Sequence, residues 1–176
     1  MGLPNNEFLK DYLFPIFIET GTEHGNGIKQ VLLFDTIKEI HSIELNGDCY
    51  KAALKNFANE PRVHLYHGDC KEILGIVLET IDEPVTIWLD AHDNSHVETA
   101  PLITELEIIR ENRRMPSPVI IIDDINHLQS WGWGKNISLD DVTNMLKTIN
   151  PNYDIKVQVH PYEFSPHKTS YTLVAS

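Results

Sequence analysis

Apolar residues along this chain form short unbroken runs that alternate with stretches in which they recur every three or four positions. The runs predict five strands, at residues 16–19, 39–45, 63–67, 85–89 and 119–122. A nearly continuous apolar run such as residues 85–89 is typical of a parallel strand that is buried on both faces. The alternation of strands with helices therefore predicts a parallel sheet with helices packed against it.

Helical spacing and helix-start signals separate the predicted strands. Between the second and third strands, the spacing of apolar residues matches the period of an amphipathic helix, at Tyr50, Ala53, Leu54 and Phe57. Asp69, with Glu72 three residues later, predicts a helix start through a capping box. The helix that follows Pro101 is predicted to bury Leu102, Ile103, Leu106 and Ile109. The last predicted helix begins at Ser138 and ends before Pro151.

The carboxyl-terminal part of the chain departs from this alternation. Residues 155–160 and 170–175 predict two strands joined by a loop, with no helix between them. Because the sequence has no internal repeat, low-complexity stretch or linker, residues 1–176 are expected to form a single domain. The predicted fold class is α/β and doubly wound. It has a mostly parallel sheet with helices on both faces and a C-terminal antiparallel strand pair.

Composition narrows the choice of partners. The chain has 26 acidic and 14 basic residues and a formal net charge of −12, which argues against binding to nucleic acid or to anionic membranes. The same charge favours a cationic ligand or a divalent metal ion. Two cysteines indicate no disulfide framework, and the sequence shows neither a signal peptide nor an apolar run long enough to span a bilayer. We therefore expect a soluble, cytoplasmic protein.

The first predicted strand runs into a turn that carries an acid and three glycines. Glu19, Gly21, Gly25 and Gly27 are spaced as Glu-x-Gly-x-x-x-Gly-x-Gly. A dinucleotide-binding fingerprint needs a further glycine where this chain has Gln30, so a phosphate-binding role is disfavoured. Glycine backbone allows the close approach of an amino-acid or ribose group. The alternative is that the glycines only form the turn before the next helix.

This spacing resembles the first motif of the class I S-adenosylmethionine (SAM) dependent methyltransferases, and the order of elements resembles a compact, Rossmann-like member of that family. The resemblance implies SAM as the cofactor, with Glu19 acting on its ammonium group directly or through water. It implies that Glu44, at the end of the second strand, binds both ribose hydroxyls, since the two oxygens of a carboxylate can accept hydrogen bonds from two hydroxyl groups. It also implies that Asp69 meets the adenine amino group and that the backbone amide of Cys70 faces a ring nitrogen.

Each of these assignments has a structural alternative. Glu44 can be a solvated acid at a strand end, and Asp69 can be a helix cap that needs no ligand. The cap and the ligand role of Asp69 do not exclude one another, because they use neighbouring oxygens.

Carboxylates also end the fourth and fifth predicted strands, at Asp90 and at Asp123 with Asp124. Parallel strands end at one edge of the sheet, so these groups are expected to converge and to repel one another unless they are protonated or neutralised by a cation. The pattern resembles metal-dependent O-methyltransferases, which implies an Mg²⁺-like ion held by all three. The alternative is that Asp90 contacts only the ligand and that Asp123 and Asp124 cap a loop.

The leading expectation is methyl transfer from SAM to an oxygen of a small-molecule acceptor, with Asp90 and His92 as the catalytic groups. His92 is the candidate general base because it lies two residues past the strand-end acid. The family often has a lysine near this position, and this chain has none between Asp90 and Pro101. The alternatives are a catalytically silent SAM-binding module that acts with a partner, and a nucleotide-binding domain.

Overall fold

The structure is a computed structural model that describes residues 3–91, 101–112, 116–128, 137–162 and 165–176. Its strands are β1 Ile16–Thr20, β2 Glu39–Glu44, β3 Val63–His67, β4 Val85–Leu89, β5 Val119–Ile122, β6 Ile155–Tyr162 and β7 Ser165–Ala175. Its helices are α1 Asn6–Leu9, α2 Asn26–Val31, α3 Gly47–Asn56, α4 Cys70–Glu79, α5 Leu102–Glu111 and α6 Leu139–Ile149, with a 3-10 turn at Ile125–His127.

All seven strands form one sheet in the order β3-β2-β1-β4-β5-β7-β6. Strands β1 to β5 are parallel, and β7 is antiparallel to both β5 and β6. The predicted doubly wound α/β fold with an antiparallel C-terminal pair is therefore confirmed. The strand order reverses between β1 and β4, and ligands of open α/β sheets bind in the crevice at such a switch point.

The sheet separates two apolar clusters because successive side chains of a strand point to opposite faces. On β1, Ile16 and Ile18 belong to the cluster under α4, α5 and α6, whereas Phe17 belongs to the cluster under α1, α2 and α3. Both faces of the central strands are therefore covered by helices, which explains their nearly unbroken apolar sequences. Within the described residues, no helix combines the length and the apolar character needed to cross a bilayer.

The C-terminal hairpin is longer than the sequence indicated. β6 extends to Tyr162 and β7 begins at Ser165, although Pro161 favoured a loop here. β6 is an edge strand, where proline is tolerated because no neighbour needs its missing N–H group. The pairing of β6 with β7 shifts register between Pro161 and Tyr162, which absorbs the irregularity.

Thr86 of β4 holds the segment before β1 against the sheet. Its hydroxyl accepts a hydrogen bond from the Phe14 N–H group at 2.9 Å and donates one to the Tyr12 carbonyl oxygen at 2.6 Å. Thr86 is fully buried, so removing the hydroxyl would leave two backbone groups without this partner.

Thr86→Val is expected to lower the free energy of unfolding by roughly 1–3 kcal/mol, the cost of leaving buried polar groups unsatisfied. Valine keeps the branched shape that suits a strand, so the loss reports the hydroxyl. Thr86→Ser keeps the hydroxyl and is expected to cost less. Urea unfolding followed by circular dichroism measures both, and a valine variant as stable as the wild type would contradict this role.

Candidate functional site

Backbone hydrogen bonds align the carboxyl ends of the central strands. The Gly21 N–H group donates to the Ile43 carbonyl oxygen at 2.9 Å, and the Asp90 N–H group donates to the Thr20 carbonyl oxygen at 3.1 Å. The ladders therefore continue one residue past β1 and β4. This alignment brings the glycine turn, the end of β2 and Asp90 to one edge of the sheet, as the sequence predicted.

Each of the three glycines in the turn is in close contact with another part of the protein. Gly21 has a φ of +88°, and a Cβ there would lie 2.6 Å from the Asp90 carbonyl oxygen. A Cβ on Gly27 would overlap the ring of Trp88 and the carboxyl group of Glu19. Gly25 has a φ of +68° and packs against the Phe57 ring. The turn is therefore built by internal packing before any ligand is considered, and a ligand-binding role of these glycines stays a prediction.

Glu19 lies beneath this turn and is almost completely buried, with 1% of its surface exposed. Its Oε1 atom accepts a hydrogen bond from the Ser42 hydroxyl at 2.6 Å, and Ser42 in turn contacts the Thr22 hydroxyl at 2.5 Å. Its Oε2 atom is buried without a hydrogen-bond partner in the described part of the chain.

The pKa of Glu19 is raised to about 8, chiefly by burial and to a lesser extent by the nearby carboxylates of Asp90 and Glu44, against a lowering contribution from the Ser42 hydrogen bond. Ligand-free Glu19 therefore carries a proton at neutral pH. Because the side chain is enclosed, its effect on a ligand's ammonium group would be electrostatic.

Glu44 connects the loop that follows β1 with the loop that follows β2. Its Oε2 atom accepts a hydrogen bond from the Glu23 N–H group and its Oε1 atom accepts one from the Asn46 N–H group, both at 2.7 Å. Glu44 is buried rather than solvated, and its bonds to the two loops are a structural role that it has without any ligand. Each carboxylate oxygen has a second lone pair, which leaves capacity for the predicted ribose hydroxyls.

Asp69 caps α4, as the sequence predicted, but its side chain bonds the Lys71 N–H group instead of forming the predicted capping box with Glu72. Its Oδ1 atom accepts a hydrogen bond from the Lys71 N–H group at 2.9 Å, and its Oδ2 atom lies 3.3 Å from the Lys71 ammonium nitrogen. Cys70 is the first residue of the helix, where the backbone N–H group has no carbonyl partner within the helix. Burial raises the pKa of the Cys70 thiol, which therefore stays protonated. The adenine contacts remain predictions.

The predicted metal site is not supported. Among the residues that the structure describes, no three His, Cys, Asp or Glu side chains are placed to hold a metal ion. Asp123 is completely buried, and its Oδ1 atom accepts a hydrogen bond from the Thr172 hydroxyl of β7 at 3.3 Å. Asp124 adopts a left-handed backbone conformation and begins the 3-10 turn. Asp90, Asp123 and Asp124 therefore do not form the expected ligand set.

Two other predicted roles remain untested. Asp90 follows β4 directly and is partly exposed at the edge of the sheet, as a catalytic or ligand-binding group would require. His92, the predicted general base, lies outside the described residues.

Sequence reasoning missed Glu105 on α5. Leu102, Leu106 and Ile109 are buried as predicted, but Glu105 shares their buried stripe while Ile103 is only half-buried. The signal was present, because positions 102, 105, 106 and 109 follow the i, i+3, i+4, i+7 period of one helix face. Only the apolar residues of this helix enter the sequence prediction, which assigns no position to Glu105.

Comparison with known proteins supports the fold but gives no close relative. No protein-family model matches the chain, and no curated protein matches it in sequence. An O-methyltransferase from Bacillus cereus, solved in complex with S-adenosylhomocysteine (SAH), is 16% identical with a TM-score of 0.64. The match covers 97% of this chain and 78% of that one.

Two further solved structures are similar. The methyltransferase domain of bacterial CtHen1 is 14% identical with a TM-score of 0.63, and the match covers 97% of this chain and 94% of that one. Spermidine synthase from Thermotoga maritima is 15% identical with a TM-score of 0.61, and the match covers 92% of this chain and 52% of that one. This chain therefore spans about half of that enzyme. Together these similarities show the fold of the class I SAM-dependent methyltransferases.

Gly27→Ala is expected to lower the free energy of unfolding by roughly 1–3 kcal/mol, because the added methyl group overlaps Trp88 and Glu19. Gly75 in α4 is the matched control, since a Cβ there lies 3.5 Å from Ile108 Cγ2, an ordinary contact. Gly75→Ala is expected to stabilise the helix by about 0.5–1 kcal/mol. Chemical denaturation compares the two, and shifts of the same sign would contradict the packing role of Gly27.

The ligand-free protein is expected to lose stability as the pH rises from 4.5 to about 8. Over this range folded Glu19 holds a proton that the unfolded chain releases, so stability falls with rising pH. Glu19→Gln is uncharged throughout and is expected to flatten the fall. Thermal unfolding in a pH series measures the slope, and an unchanged slope in the variant would show that Glu19 holds no such proton.

Proposed function

We propose that this protein binds SAM at the carboxyl ends of β1, β2 and β4 and transfers its methyl group to an oxygen of a small-molecule acceptor. The observation that carries the proposal is the grouping of Glu19, Glu44 and Asp90 at the switch point of a class I methyltransferase fold. SAM bears a sulfonium and an ammonium group, and acidic side chains in a shielded site attract such cations.

Each end of the ligand has candidate residues in this arrangement. Glu44 would bind the ribose hydroxyls through its remaining lone pairs. Asp69 and the Cys70 amide, at the start of α4, would meet the adenine ring. The backbone around Gly21 would approach the amino-acid part, with Asp90 supplying negative potential and Glu19 becoming ionised when the ammonium group binds.

Bound SAM supplies an activated methyl group that is ready for in-line attack by a nucleophile. The chain must then orient the acceptor oxygen, exclude water and remove the acceptor's proton. Asp90 is the described carboxylate best placed at the edge to orient an acceptor hydroxyl. His92, two residues further along, is the proposed base. Because Asp90, Asp123 and Asp124 do not form a ligand set among the described residues, the proposal assigns no step to a divalent cation.

A spermidine synthase shares this fold, so the fold does not by itself fix the transferred group. The second candidate function is a SAM-binding module without catalysis. The two are separated by incubating the protein with SAM and a panel of hydroxylated acceptors and measuring SAH formation. Binding without turnover would favour the module.

Wild-type protein is expected to bind SAH in isothermal titration calorimetry, and Glu44→Gln is expected to weaken binding by roughly 1.5–3 kcal/mol. The glutamine keeps the size of the side chain but loses the charge and one acceptor oxygen. Glu79→Gln removes the same charge from an exposed position at the far end of α4 and serves as the control.

The affinity of the Glu79 variant is expected to match that of the wild type. If the wild type binds no SAH, the proposed function fails. If Glu44→Gln binds as tightly as the wild type, the ribose assignment fails while the cofactor proposal stands.

A further inference from the structure

Glu105 is a buried acid that neither the packing of the core nor the predicted cofactor contacts explain. It lies on the core-facing side of α5, where an apolar residue would complete the stripe formed by Leu102, Leu106 and Ile109. Only 1% of its surface is exposed, and its Oε1 atom has no hydrogen-bond partner in the described part of the molecule. An enclosed polar group of this kind lowers stability.

The neighbours of Glu105 belong to the two elements that carry the proposed cofactor site. Thr20, the last residue of β1, points to the same face of the sheet as Ile16 and Ile18, and Cys70, the first residue of α4, belongs to the apolar cluster that packs under α5. Both lie near enough to Glu105 to influence its pKa. Thr20 Oγ1 and Glu105 Oε1 are nonetheless both buried without a hydrogen-bond partner in the described part of the chain. Thr20 directly precedes Gly21 and Cys70 directly follows Asp69, so both neighbours of Glu105 adjoin residues of the proposed cofactor site.

Two acidic groups in the described part of the chain, Asp69 at the start of α4 and Asp90 after β4, act on Glu105. Its pKa is raised to about 7, chiefly by burial and to a lesser extent by these two carboxylates, against lowering contributions from Thr20 and Cys70. Below that pH the carboxyl group is mainly uncharged, and it can donate as well as accept a hydrogen bond. Such a group can bridge a hydroxyl and a thiol without placing a third negative charge between two others.

We infer that Glu105 is a positioning residue for the cofactor site, where its buried side chain on the core-facing side of α5 sets the end of β1 against the start of α4. This inference rests on the proposed function. A leucine at the same place would fill the stripe and remove an unsatisfied polar group, so core packing alone does not account for a glutamate. Proteins retain such destabilising groups where binding requires them.

The experiment compares stability with SAH affinity at about pH 6, where the side chain is mainly uncharged. Glu105→Leu is expected to keep or raise the melting temperature and to weaken SAH binding at least about tenfold. Glu105→Gln, which keeps a donor and an acceptor, is expected to restore most of the affinity. Glu107→Gln, an exposed change on the same helix, controls for the loss of charge.

A second variant keeps the test decisive if Glu105→Leu does not fold. Thr20→Val removes the neighbouring hydroxyl from β1 while it preserves a β-branched side chain, and it is expected to weaken SAH binding in the same direction. Thr20→Ser is its control, because it keeps the hydroxyl.

The outcomes separate this inference from the proposed function. Wild-type protein that binds no SAH overturns the proposed function. If the wild type binds SAH and a folded Glu105→Leu or Thr20→Val variant binds it as tightly, only the positioning role of Glu105 is overturned. A folded Glu105→Gln variant that binds as weakly as Glu105→Leu also overturns it, because an uncharged hydrogen-bonding group would then not suffice.

Discussion

The close packing of α2 against the ends of β1 and β4 is the constraint on which the site depends. Gly27 lets the backbone of α2 approach Glu19 and Trp88 where no side chain would fit. This approach encloses the Glu19 carboxyl group and fixes the glycine turn above it. Gly21, at the other end of the turn, lies against the backbone of Asp90. One set of contacts therefore determines the turn, the buried acid and the start of the loop after β4.

The electrostatic character of the site follows from that packing. Glu19 is held neutral by burial and by the negative charges of Asp90 and Glu44, so its protonation depends on what else occupies the edge. A bound cation would favour the ionised form and lower its pKa, whereas a phosphate would oppose ionisation. A cationic ligand thus gains an attraction at this site that a dinucleotide would not. The acidic residues at this edge and the missing glycine of the dinucleotide fingerprint both favour SAM over a dinucleotide as the ligand.

Sequence reasoning succeeded where a local pattern determines the structure and failed where the outcome depends on distant contacts. The apolar runs gave the five parallel strands, and the helix start at Asp69 followed from its side-chain chemistry. The two N–H groups that donate hydrogen bonds to Glu44 belong to separate loops. One of them belongs to Glu23, whose φ of 46° could not be predicted from its residue type. Glu105 was missed because its burial depends on how α5 packs.

The acids after β5 show how topology changes the meaning of a motif. Ile122 pairs with Leu173, so Asp123 continues past β5 directly beside Thr172 of the antiparallel strand β7. The Thr172 hydroxyl donates to the Asp123 carboxylate within the sheet. Asp123 is thereby held in the interior, whereas Asp90, at the end of a strand between two parallel neighbours, reaches the open edge. Two acidic strand ends that look equivalent in sequence thus differ because only β5 has an antiparallel neighbour that runs past its end.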